Sequence, residues 1–394
     1  MNILIYRYNS ICEDAVIRGL KELGHTVYEV VLEVENKSPS GQEILDAVVM
    51  GMEKSNADII FSINYYPALS EIARVYKLLY YSWIVDAPVL ELYSKTIKNR
   101  CNRLFIFDSE LYREISVYNP YNIFYLPLVA DCDFYQNAIR NASLSDVEKY
   151  THNISFVGSL YTEKCPYDKV KNLSPKISGY LHGIMKAQEK IYGYYFVEEL
   201  LSDELVDEFV KNYDGYYLAG EEDLLTKKRT LAQFYIGNKI TAMERVDTFK
   251  YLSEKFEVDI YTASDTKEIP KLKNHGTIMT HTQMPIVFNK STINLNPTSK
   301  PIRSGIPLRI FDLLACEGFV LCNYQSDLLN EFLQGEELDV YSSIEELEEK
   351  IRYYLSHTDV CREIAHNGYE KVSKRHTYPL RLEQMFRLGE HRRR

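Results

Sequence analysis

The sequence predicts an α/β protein of two domains, each built on a doubly wound parallel sheet, with a helical insertion in the second. Three observations predict it. At 394 residues the chain is too long for one small domain and suits two of ordinary size. Short apolar runs alternate with helical patterns from residue 2 to residue 127, as parallel strands joined by crossover helices do. The alternation resumes at residue 153, but residues 165–254 are a charged helical stretch too long for one crossover.

NILIY (2–6) is the first buried strand, followed by a helix from Asp14 to Leu23 that stops at Gly24. GHTVYEVVLE is the second strand, and a helix covers Ser40 to Ser55. ADIIFSINY, KLLYYSWIVDAP, RLFIFDS and NIFYLP are strands three to six, separated by helices at 67–77, 89–97 and 109–118. Ligands of such sheets lie past the carboxyl ends of strands, which singles out Arg7 to Asn9, Asn64 to Tyr66, Asp86 and Asp108. No G-x-G-x-x-G is present, so the opening is not a dinucleotide fingerprint.

NISFVGS (153–159) starts the second sheet. After the insertion come EVDIYTAS, GTIMTH as a strand ending near His281, and a short helix PIVFNKS. ELDVYSS is the last strand, and helices at 343–356, 358–373 and 377–388 close the chain. The expected boundaries are 1–150, 151–375 and a final helix within 376–394 returning to the first domain.

Composition excludes several classes. A net charge of −10, with HRRR at the end as the only basic block, argues against nucleic acid as partner. Seven scattered cysteines, odd in number and never C-x-x-C, fit reduced thiols in a cytoplasm better than disulfides or a zinc site. The first residues hold too short an apolar run for a signal peptide, and no 18-residue apolar stretch occurs, so at most peripheral membrane contact is expected. His275 and His281 have no carboxylate at ligand spacing, and no metal is expected on them.

The chemistry concentrates in STINLNPTSKPIRSGIPLRIFDLLACEGFVLC, residues 291–322. A short strand ends at Asn296-Pro297, a polar loop carries Pro301 and Gly305, and Pro307 suits the first turn of a helix. Strand, glycine loop and helix N-terminus present free amides to an anion, and a diphosphate is the obvious candidate. Arg303, Ser304, Gly305 and the amides of Ile306, Leu308 and Arg309 form that seat, with Pro307, which has no N–H, shaping the turn and the positive end of the helix behind it.

This stretch resembles the carboxy-terminal signature of GT-B glycosyltransferases, specifically the spore-maturation (CgeB-like) branch related to retaining group 1 enzymes. The closing segment from ELDVYSS to RLEQMF resembles that branch as well, and SWIVDAP is the most specific piece of a looser resemblance in the first half. The resemblance implies two Rossmann-like domains facing each other across a cleft, and a metal-independent, hexosyltransferase-like activity needing no cofactor beyond a nucleotide-sugar co-substrate. UDP- or GDP-sugars are the expected donors, with an unknown acceptor hydroxyl on a glycan, protein or small molecule.

The resemblance also distributes roles. Asp312 stands where a carboxylate meets the ribose hydroxyls, although the branch usually has Glu. Ser304 stands where the wider retaining class has a Glu on the donor sugar. In FVGSLYTEK, Gly158 precedes Ser159, which replaces an arginine of the phosphate-binding pair, while Lys164 matches its lysine. Thr262 and His281 are expected near the nucleotide. Asp86 and Arg309 are the expected catalytic residues, the first as base or sugar contact and the second stabilising the leaving diphosphate. Asn9 and Tyr65 are expected on the acceptor side. The D-x-D formed by Asp131 and Asp133 reads as a hinge, not a metal site. The missing Glu and Arg keep two other readings open, a catalytically silent binding or structural protein of surface or spore assembly and a nucleotide-sugar epimerase.

Overall fold

Twelve strands form two six-stranded parallel sheets among the described residues, 1–163 and 165–390, of the computed structural model. Lys164 and the terminal HRRR lie outside the described residues. The chain divides into two units. One comprises Met1–Val129, Ala219–Leu225 and the C-terminal stretch from His376; the other comprises Ala130–Leu218 and Thr226–Arg375.

The first unit holds β1 (Asn2–Tyr6), β2 (Thr26–Val30), β3 (Ile59–Ile63), β4 (Leu79–Ile84), β5 (Asn102–Ile106) and β6 (Ile123–Tyr125), in the order β2-β1-β3-β4-β5-β6. In β1, β3, β4 and β5 nearly every residue is buried, as expected of strands covered by helices on both faces. Helix Gly41–Ser55 begins at a capping box in which Ser40 and Glu43 bond each other's backbone amides. The last helix, Tyr378–Glu390, covers this sheet: Tyr378 packs edge-on against Trp83 and Phe386 lies 5.4 Å from Tyr81. His376 holds the helix by a 2.9 Å bond to Arg381. Ala219–Leu225 joins the same unit, with Leu224 N–H donating to the Tyr93 carbonyl and Asp223 accepting from the Lys95 amide.

The second sheet contains β7 (His152–Val157), β8 (Asp259–Tyr261), β9 (Lys273–Asn274), β10 (Ser291–Asn296), β11 (Val320–Asn323) and β12 (Asp339–Tyr341), in the order β12-β11-β10-β7-β8-β9. Between β7 and β8 lie helices Pro175–Glu189, Asp203–Lys211 and Gly237–Ser253, with shorter turns. Leu181, Phe209, Leu231 and Tyr235 give this region an apolar core of its own.

Ala219–Leu225, expected in the second domain, falls in the first unit, and four further features differ from the sequence expectation. Residues 130–150 group with the second unit rather than the first. They form helices Cys132–Arg140 and Leu144–Lys149, and Gln136 Nε2 donates to the Ala315 carbonyl there. The expected helix 89–97 is two 3₁₀ turns, Leu90–Tyr93 and Lys95–Lys98, because Ser94 is extended and caps the second. GTIMTH is not a strand: Gly276 takes a positive φ of 77° after β9, and His281 lies on the turn before helix Met284–Lys290. Pro307 is the N-cap of helix Leu308–Ala315 rather than part of its first turn.

Candidate functional site

In the second unit the loop from β10 to helix Leu308–Ala315 is held from several sides. Thr298 N–H donates to Asn323 Oδ1, Lys300 N–H to Thr241 Oγ1, and Gln325 Nε2 to the Ile302 carbonyl. Ile306 is buried and Ser304 wholly so, its hydroxyl 3.2 Å from Asp327 Oδ2. The Asp327 amide also donates to the Ser304 carbonyl. Ser304 therefore fastens the loop, with Gly305 buried beside it. A loop held in this way needs little rearrangement when a ligand binds.

Helix Leu308–Ala315 supplies Arg309 and Asp312, one turn apart, joined by a 3.3 Å ion pair. Asp312 is buried, with Tyr135 donating a 3.0 Å bond to Oδ1. Burial pushes its carboxyl pKa up, against the opposing pull of Arg309 and the Tyr135 bond. The Arg309 guanidinium also lies over the Phe288 ring. Arg303 lines a small pocket with Lys300, Tyr192 and Tyr195. His281 is exposed and edge-on to Phe134.

The turn after β7 contributes Gly158 and Ser159. Gly158 N–H donates to the Tyr261 carbonyl, and an added Cβ would stand 2.9 Å from the Phe156 ring. Ser159 and Ser264 both donate to Glu163, and Ser264 N–H donates to the Thr262 hydroxyl. Burial works to raise the Glu163 pKa, but the bonds from Ser264, its own amide and Ser159 outweigh it and hold the carboxylate below its usual range. Gly158, Ser159 and Thr262 thus form one group, and residues 303–312 another.

Arg245, which sequence reasoning missed, ties the Ser159 turn to the start of the loop that leads from β10 to residues 303–312. From helix Gly237–Ser253 its Nη1 donates to the Ser159 carbonyl and its Nη2 to the Pro297 carbonyl at 2.6 Å. The guanidinium lies against the rings of Phe156 and Tyr161, and its buried Nε has no partner among the described residues. Burial lowers its pKa, and the Arg309 charge adds to the effect against the pull of Tyr161, Glu244 and Tyr341. Adjacent Glu244 is engaged by Lys300 at 3.3 Å and by the Tyr192 hydroxyl at 2.7 Å. A signal was present in the sequence. Ile240, Thr241, Glu244, Arg245, Thr248, Phe249 and Leu252 recur at helical spacing, which puts two charges on a buried face.

In the first unit the ends of β1, β3 and β4 bring Tyr8, Asn64 and Asp86 together. Asn64 Nδ2 donates to Asp86 Oδ2 at 2.7 Å and to the Tyr8 hydroxyl at 2.9 Å, and its Oδ1 accepts from the amides of Val85 and Asp86. Asn64 does this from a positive φ of 56°. Asp86 is exposed, and its carboxylate orientation is set by these partners. Burial raises the Tyr8 pKa, with Asp86 adding to it, so the phenol stays protonated. Asn9 is exposed with its amide bonded to Glu13. Tyr65 does not belong to this surface. It is buried, with its hydroxyl bonded to Thr96 and 3.5 Å from Asn102 Nδ2, because Asn64 occupies the strand end and turns the next side chain into the core.

Residues 244–387 match the family model described as glycosyl transferase-like. No curated protein matches the chain's sequence. Among solved structures, a glycosyltransferase from Rickettsia africae aligns over 99% of both chains with 14% identity and a TM-score of 0.58. Anabaena Alr3699/HepE in complex with UDP-glucose aligns over 98% of both chains, with 11% identity and a TM-score of 0.56. The UDP-forming trehalose-phosphate synthase of Burkholderia xenovorans aligns over 99% of this chain and 98% of its own, at 11% identity and a TM-score of 0.55. The fold is that of the GT-B glycosyltransferases, two Rossmann-like domains with parallel sheets. The stretch that resembles glycosyl transferases in sequence, 244–387, carries the β10 loop and helix Leu308–Ala315.

Proposed function

We propose that the protein transfers a sugar from a nucleoside-diphosphate sugar, UDP- or GDP-linked, to an acceptor hydroxyl, with retention of configuration and without a metal ion in the reaction. The observation that carries this reading is the cationic seat around the β10 loop. Among the described residues the buried Arg245 guanidinium bonds the Ser159 and Pro297 carbonyls and no carboxylate, its Nε is without a partner, and the charge of Arg309 bears on it. A diphosphate would relieve these conditions, and its growing negative charge during transfer is what such donors stabilise. Asp312 would accept the ribose hydroxyls, and Arg245 would stand in for the arginine absent at Ser159. Asp86, held by Asn64 and Tyr8, would meet the acceptor or the transferred sugar. UDP-glucose bound to the Anabaena protein supports a uridine donor. Seven free cysteines suit a reducing cytoplasm. No helix among the described residues is long and apolar enough to cross a membrane.

A catalytically silent binding protein is the second reading, favoured by the burial of Ser304 against Asp327 at the position of the donor-sugar Glu. Thermal stabilisation by UDP, GDP, ADP, TDP and CDP in chelator separates the possibilities. A ligand that binds only the folded state raises Tm by mass action, and one nucleotide is expected to do so clearly. Incubation with the matching sugar nucleotides and a panel of hydroxyl acceptors, with water as the acceptor of last resort, then reads release of the free diphosphate as the sugar moves to the acceptor oxygen. Nucleotide binding without turnover selects the silent reading, and no shift with any nucleotide removes the donor site.

A further inference from the structure

The second unit contains a polar cluster that sugar transfer leaves unused. His152 opens β7, Asp259 opens β8, and His275 follows directly on β9. β7 and β8 begin here; the Ser159 and Thr262 loops lie at their other ends. His275 Nε2 is 2.7 Å from Asp259 Oδ1, and His152 Nδ1 is 3.4 Å from Asp259 Oδ2. One donor atom from each of the three residues lies within 4.8 Å of the others. The side chains of His152 and Asp259 are 8% and 7% exposed, whereas that of His275 is 38% exposed. The sequence alone set His275 beside His281 with no carboxylate in reach; folding brings it to Asp259 instead.

Two imidazoles and a carboxylate are the donor set of a zinc-type ion. Zinc bonds of about 2.0–2.2 Å in a tetrahedral arrangement set donor atoms about 3.4 Å apart; the His152–Asp259 contact has that separation, the His275–Asp259 contact is shorter at 2.7 Å, and the three donor atoms lie within 4.8 Å. Opening the His275–Asp259 contact by under about 1 Å would admit the ion. The Tyr261 hydroxyl, 2.8 Å from His152 Nε2, can accept that nitrogen's proton and so fix the tautomer that presents Nδ1. Nearby Lys273 is paired with Glu257, so the partners of the Asp259 carboxylate are the two imidazoles and not an ammonium group.

We propose that His152, Asp259 and His275 bind a divalent first-row transition ion, zinc foremost, which fastens the beginnings of β7 and β8 to the end of β9. Three protein ligands leave a fourth position on the solvent side, next to His275. The ion's role is structural, since the three residues stand away from the loops assigned to the nucleotide. His152 and His275 flank the whole helical insertion, and a cross-link closing so long a loop restricts the unfolded chain strongly.

The test uses the full chain without a histidine tag, stripped with chelator and desalted. Zinc is expected to raise Tm with a stoichiometry of one ion per chain, and cobalt(II) to give visible ligand-field absorption. His275→Ala, at the exposed ligand, is expected to abolish both while leaving any nucleotide-induced shift intact. Tyr261→Phe keeps all three ligands and is expected to weaken binding by about 10–100-fold. The proposal is overturned if zinc and cobalt change neither Tm nor the spectrum of the stripped wild type. It is equally overturned if both responses persist unchanged in His275→Ala and in His152→Gln. Either result leaves the nucleotide reading standing, because that site is read by a different ligand.

Discussion

Replacing Arg245 by lysine puts the donor-site reasoning at greatest risk. Lysine keeps the positive charge but cannot reach two carbonyls in fixed directions, as the guanidinium does toward Ser159 and Pro297. Two costs follow from the geometry. A hydrogen bond from a charged donor contributes about 1.5–3 kcal/mol, and one of the two is lost, so the free protein should be destabilised by about that amount. The second cost falls on the ligand. A charge pair about 5 Å apart at an effective dielectric of about 20 contributes about 3 kcal/mol. Displacing the charge and losing its fork should forfeit about half to all of that, a fall in diphosphate affinity of about 10–100-fold. Arg245→Gln, which also removes the charge, should reach the upper end. Isothermal titration with UDP or the active nucleotide reads the effect, and the parent nucleoside, lacking phosphates, serves as control. Equal loss for nucleoside and diphosphate would mean that Arg245 only shapes the fold. Unchanged diphosphate affinity in both folded variants would refute the seat altogether.

Asp312→Asn should move stability and binding in opposite directions. Burial raises the folded-state pKa, so Asp312 favours folding below the ordinary carboxyl range and loses that contribution as pH rises through its elevated value. At neutral pH the amide should therefore raise Tm, by about 0.5–2 kcal/mol of stability, while nucleotide affinity falls about tenfold or more. A Tm gain that persists undiminished at pH 3 would contradict the burial argument. Asn64→Ala should cut transfer strongly by releasing Asp86, whereas Tyr65→Phe should cost about 1 kcal/mol of stability and leave kcat/KM unchanged; paired steady-state assays and denaturant melts decide between them. At Gly318 an added Cβ would stand 2.6 Å from the Phe288 carbonyl, so Gly318→Ala should destabilise the protein by about 1–3 kcal/mol in a urea melt.

The fold was legible where burial leaves a continuous mark. Strands such as β3 and β4 are covered on both faces, so their sequences are apolar runs interrupted only by Ser62 and Ser82, and Ser40 with Glu43 caps the helix that follows. The loop at 303–307 was legible as a break between strand and helix because glycine and proline favour turns, although Pro307 caps the helix and does not enter its first turn. Other features depend on partners remote in sequence. GTIMTH has strand composition, yet the positive φ at Gly276 ends β9 before it. Tyr65 looked available past β3, but the turn at Asn64 sends its ring inward to Thr96. Arg245 and His152 acquire meaning only when β7, β8 and β10 lie side by side.

The three-segment make-up of the first unit has a consequence for biosynthesis. Its sheet is complete by residue 125, but Trp83, Tyr81 and Gly19 await Tyr378, Phe386 and Leu382 from the last helix. The second unit draws on 130–375 with a single short excursion. On the ribosome, therefore, the half that emerges first is the half that finishes last, and a nascent chain halted before residue 378 would display an uncovered aromatic face to chaperones or to other chains.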